Sequence, residues 1–151
     1  MTSKVPAICR KLPDGLYAVG SLDEEVAESG GYACTFFAER FAGVDALCSA
    51  GPDNLTPISS IFVTSEIAGK REGWLAGCEI VNPLPEGQRA PYTFRTSGSW
   101  VGCKTYGSAI VKDFLEAYFG LADWFMMYRD DYFDEMLLPE APTRLITETS
   151  S

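Results

Sequence analysis

Asp134 and Glu135 sit side by side in Tyr132-Phe133-Asp134-Glu135-Met136-Leu137-Leu138, a run that is otherwise apolar or aromatic. A carboxylate in such a run is costly to bury unless it is protonated or partnered. Flat aromatic side chains beside one carboxylate suit a lipophilic cation. The rings stack and offer cation–π contact, and the acid matches the charge. Trp100, Tyr106, Trp124, Tyr132 and Phe133 all fall in the second half of the chain and are the candidate walls. Read as a strand, the run alternates, with Phe133 and Glu135 on one side and Tyr132 and Asp134 on the other. One acid then faces a groove while its neighbour faces water. A solvated edge for the acids and plain packing for each ring are the competing readings, and the pattern leaves them open.

Other chemistries are narrowed by what the chain lacks. It has no histidine, which excludes Ser-His-Asp and Cys-His nucleophilic catalysis and all histidine-based metal sites. The five cysteines, Cys9, Cys34, Cys48, Cys78 and Cys103, are widely spaced with no C-x-x-C pair, so they read as small buried hydrophobes. No metal and no cofactor are expected. If the chain is an enzyme, Glu135 is the candidate general acid or base, with tyrosine hydroxyls in support.

The balance of 21 acidic against 12 basic residues, a net charge of −9, disfavours direct nucleic-acid binding and favours cations. No apolar run reaches the roughly 18–20 residues that span a bilayer, so no membrane partner is expected. The first residues show no apolar signal segment, and a cytoplasmic location is the expectation. A length of 151 residues suits one domain.

The elements that must position these residues read as a duplicated plan. Ile110, Phe114, Tyr118, Leu121 and Phe125 recur at spacings of four, four, three and four, one face of a helix that Ser108 could cap. Phe37, Phe41, Val44 and Leu47 predict a first helix within 34–51, stopped by Gly51-Pro52. Strand-like runs precede each helix, at 15–22 and 92–106. Two more follow each, at 59–67 and 76–81, then 132–138 and 144–150. The expected fold is α+β, with strand–helix–strand–strand repeats over about 1–82 and 91–151. Pseudo-two-fold symmetry would place both long helices on one face of an antiparallel or mixed sheet. A groove between the halves would then be the natural small-molecule site.

That plan resembles the gyrase-inhibitor-like (GyrI-like) family of small-molecule-binding domains. The best of the likeness is "EMLLPEAPTRLITET", similar to the family's Glu-x-Tyr-Leu, proline turn and Leu-x-Thr-Glu pattern. Leu137 stands where the family has tyrosine. The resemblance puts Glu135 on the family's ligand-facing glutamate, or Asp134 if the register slips by one. Leu145, Thr147 and Glu148 fall on the later signature. It implies a stand-alone member, without a DNA-binding segment, that captures bulky, hydrophobic, often cationic aromatic compounds. Two other functions stay in view: a hydrolase of reactive natural products using Glu135, and an acidic protein-interaction or inhibitor module. A homodimer is one assembly open to it.

Overall fold

The computed structural model describes residues 4–26, 30–69, 73–89, 105–124 and 133–142. Its architecture is α+β. Strands β1 (Lys4–Lys11), β2 (Tyr17–Val26) and β3 (Gly31–Phe41) lead into helix α1 (Val44–Ala50). Strands β4 (Pro57–Thr64), β5 (Trp74–Val81) and the two-residue β6 (Thr105–Tyr106) follow, then helix α2 (Ser108–Tyr118). Single 3-10 turns occupy Ser65–Ala68, Glu86–Gln88 and Phe133–Met136. The six strands form one mixed sheet in the order β5-β1-β2-β3-β4-β6, antiparallel throughout except for the parallel pair β4–β6.

The two helices lie on opposite faces of this sheet, which corrects the expectation of both on one face. Leu47 of α1 packs with Ala7, Cys9, Val19, Phe37 and Ile80. Val111, Phe114, Leu115 and Tyr118 of α2 pack with Ile8, Ala18, Cys34, Phe36 and Val63. Neighbours such as Ile8 and Cys9, or Ala18 and Val19, point to opposite sides of their strand, so each feeds a different cluster. Each fully buried Leu, Ile or Phe in these layers contributes about 1.5–3 kcal/mol.

The first predicted helix is mostly strand. Residues 31–41 form β3, and only Val44–Ala50 are helical. The reason is burial on both faces: Ala33 to Phe37 are all buried, so the strand shows no apolar–polar alternation. Its aromatic and β-branched residues favour the extended chain. Gly51, at φ 53°, ends α1 as the Gly-Pro signal predicts, its N–H returning to the Leu47 carbonyl. β1, in a stretch that carried no strand signal, forms the middle of the first half of the sheet. The second predicted helix forms but ends at Tyr118, with Gly120 at φ 76° just beyond.

Register shifts interrupt the ladders at four places, two of them between β2 and β3 and one each in the β3–β4 and β1–β5 pairs. Phe36 pairs with Ser59 and Phe37 with Pro57, leaving Ile58 as an extra residue on β4. Ile8 pairs with Ala76 and Pro6 with Glu79, leaving Gly77 and Cys78 in a bulge on β5. At Gly20 a Cβ would lie 2.7 Å from the Phe36 ring, so the side chain must be absent for β2 and β3 to pack as they do.

Candidate functional site

The residues singled out from sequence come together in part. Residues 133–136 form a 3-10 turn, not the expected strand. Residues three apart share a side of such a turn, so Phe133 and Met136 point inward at 2% and 1% exposure while Asp134 and Glu135 face solvent. Helical i, i+3 spacing thus replaces the predicted alternation, and both acids lie on the outside. Phe133 meets Phe114 at 5.9 Å and Trp124 at 5.3 Å between ring centroids, and Phe114 and Trp124 lie 5.7 Å apart. The Trp124 indole N–H donates to Asp134 Oδ1 at 2.9 Å. Tyr106 is buried in the same core. Tyr106 and Phe133 therefore fill space against α2 and do not stand as walls of an open hollow. Trp100 and Tyr132 lie outside the described residues.

A cleft among the described residues lies a turn further along; a shallower depression of similar volume lies at Tyr17 and 42–46. The cleft encloses about 470 Å³ where three segments converge, and its walls are mostly proline and leucine. Thr56 and Pro57 enter from the start of β4. Pro83, Leu84, Pro85 and Gln88 come from the segment after β5, and Leu138, Pro139 and Glu140 from the turn after the aromatic cluster. Thr56 and Pro57 belong to the first expected repeat, 83–88 to the segment between the repeats and 138–140 to the second. The carboxylate of the cleft is Glu140.

Each wall is tied down by side chains from elsewhere. Both Thr56 donors go to one carboxylate: its N–H to Glu39 Oε1 and its hydroxyl to Glu39 Oε2, each at 2.7 Å. The bulge at Ile58 leaves its carbonyl to accept the Leu138 N–H at 2.8 Å. The Ser59 hydroxyl donates to the Met136 carbonyl at 2.5 Å, and the Tyr118 hydroxyl to the Pro142 carbonyl at 2.9 Å. The Ala141 N–H closes the turn onto the Leu138 carbonyl.

The second wall crosses the α1 face of the sheet on a buried polar anchor. Asn82 Nδ2 donates to Asp23 Oδ1 and Thr35 Oγ1, each at 2.9 Å, while its Oδ1 accepts the Leu84 N–H at 3.0 Å. The Ser21 hydroxyl donates to Asp23 Oδ1 at 2.7 Å and the Thr35 hydroxyl to Asp23 Oδ2 at 2.6 Å. Arg89 fastens the far end, its Nε to the Leu84 carbonyl and its Nη2 to the Asn82 carbonyl. Burial pushes the Asp23 carboxyl above its ordinary range. Hydrogen bonds from Thr35, Ser21 and Asn82, and the charge of Arg89, pull the other way without cancelling it. Sequence reading passed over Asp23, Thr35 and Asn82, because isolated polar residues in strands and at loop starts carry no signal of meeting. The prolines at 83, 85 and 139 were legible, but as loop and turn markers only.

Among the described residues no group of three or more Cys, Asp or Glu is placed to hold a metal ion. No described helix is long and apolar enough to cross a membrane. No family model, curated protein or solved structure matches this chain.

Proposed function

We propose that this protein binds a bulky, apolar small molecule of positive charge in the cleft between β4, the segment after β5 and the turn at 138–140. The observation that carries this reading is the cleft itself: a concavity of about 470 Å³, walled by prolines and leucines, with the exposed Glu140 at its rim. That volume lies within the range of small-ligand pockets, roughly 300–1,000 Å³. The walls are held by hydrogen bonds before any ligand arrives, so little ordering remains to oppose binding. The net charge of −9 draws cations towards the surface. The likeness to GyrI-like domains supports the ligand class, with the charge partner moved from Glu135 to Glu140.

Thermal shift and calorimetry with tetraphenylphosphonium and a neutral analogue, tetraphenylmethane derivatised for solubility, test the reading. At 100-fold excess over Kd the cation should raise Tm by roughly 5–10 °C. Glu140→Gln should weaken the cation about two- to fivefold, the measure of one exposed charge, and leave the neutral compound unchanged. Loss of cation affinity in Glu135→Gln instead would move the site to the Phe133–Met136 turn. No shift with either compound would overturn the proposal.

A further inference from the structure

Cys48 and Cys78 flank the place where α1 crosses β5. Cys78 stands in the β5 bulge, which brings it with Ile80 onto the α1 face, half-buried against the cluster around Leu47. A Cβ on Gly77 would come within 3.7 Å of Leu47 Cδ2, so the helix runs close over the bulge. The next residue of α1, Cys48, is exposed, and its nearness adds to burial in raising the Cys78 thiol above its ordinary range. Cys9 lies on the same face of the sheet, fully buried. Cys9, Cys48 and Cys78 are free thiols. The exposure of Cys48 departs from the expectation of five buried cysteines, and it is what makes the pair reachable.

We propose that Cys48 and Cys78 form a thiol–disulfide exchange site whose substrate is a low-molecular-weight disulfide of the glutathione type. The thiolate of exposed Cys48 attacks one sulfur of R–S–S–R. A Cys48–S–S–R bond forms, the R–S–S–R bond breaks, and RS⁻ leaves and takes up a proton. Cys78 then gives its proton to solvent, and its sulfur attacks that of Cys48, expelling the second RS⁻. Two protein thiols are oxidised to one disulfide and one small disulfide is reduced to two thiols, so atoms and electrons balance. The order follows access, since Cys48 is open to solvent and Cys78 half-covered. Cys9 stays out of the exchange: burial, reinforced by the neighbouring Cys48 and Cys78, pushes its thiol up to about 12. Cys34 is buried on the other face of the sheet. The new bond would clamp α1 to β5.

The test uses the whole protein equilibrated over a range of oxidised to reduced glutathione, quenched by alkylation and mapped by mass spectrometry. A peptide pair linked through Cys48 and Cys78, lighter by two hydrogens, should accumulate. Oxidation should raise Tm by roughly 6–12 °C, as expected for a cross-link over a loop of this length. Cys78→Ser should stop at the mixed disulfide on Cys48, and Cys48→Ser should give neither product. Cys78→Ala serves if the serine variant does not fold. Wild type halting at a Cys48–glutathione adduct, or links through Cys9, Cys34 or Cys103 in its place, would overturn the proposal.

Discussion

The Ser59 hydroxyl donates to the Met136 carbonyl at 2.5 Å across 77 residues of chain, and both residues are buried. Two residues on, the Leu138 N–H reaches the Ile58 carbonyl. Together they dock the segment that carries the third wall of the cleft onto the outer side of β4, where the register shift has freed a backbone acceptor.

Ser59→Ala removes the donor and leaves the Met136 carbonyl buried. It should cost about 1–3 kcal/mol. Urea unfolding measures the loss, and a weakened cation affinity should accompany it because Leu138 and Glu140 lose their anchor. Unchanged stability would mean that the segment is held elsewhere.

Leu138→Trp should fill the cleft while leaving the docking hydrogen bonds, which use the backbone of Leu138, in place. Cation binding should fall at least tenfold with Tm within a few degrees of wild type. Retained binding in a folded variant would place the ligand elsewhere.

Phe114→Ala empties the centre of the aromatic cluster, where Phe114 touches Trp124, Phe133 and Tyr118 and is fully buried. The cost should be about 3–5 kcal/mol. Trp124 should also shift its emission to longer wavelength as water reaches the ring. A loss below about 1 kcal/mol would show that the cluster does not hold the core together.

Asp23 predicts a pH dependence of defined sign. Its folded pKa lies above the unfolded value, so the folded state binds the proton more tightly than the unfolded chain. This contribution is fully present below the unfolded carboxyl pKa, about 3.9. It declines as pH rises through the folded value. The slope of stability against pH above about 4 should therefore be less negative in Asp23→Asn than in wild type. Asp23→Ala, which strands the donors of Asn82, Thr35 and Ser21, should cost about 2–4 kcal/mol by chemical denaturation. Parallel pH profiles for wild type and Asp23→Asn would refute the coupling.

Part of the molecule was legible before any coordinates. The α2 periodicity found a real helix, because α2 buries only one face and its charged residues, with Lys112 and Glu116 paired at 3.1 Å, stay on the other. β2 and β5 were found because turn residues bound them. β3 was misread because its two sides are covered by different layers, and an unbroken apolar run is compatible with either period. The run at 132–138 was misread for a related reason. Phe133 and Met136 bury on one side of a turn, and a seven-residue stretch is too short to separate that pattern from alternation.

The residues alone establish the absence of histidine chemistry, the acidic charge, the mixed α and β composition and the position of one helix. Those are properties of residue type and of spacing within a few turns. Tertiary structure decided which carboxylate stands at a cleft, which thiol is exposed and which aromatics are core. Each of these depends on residues far apart in the chain being brought together by a register or a bulge. A shift of one residue at Ile58 or at Gly77 and Cys78 changes which side chains share a face, and nothing local in the sequence records that shift.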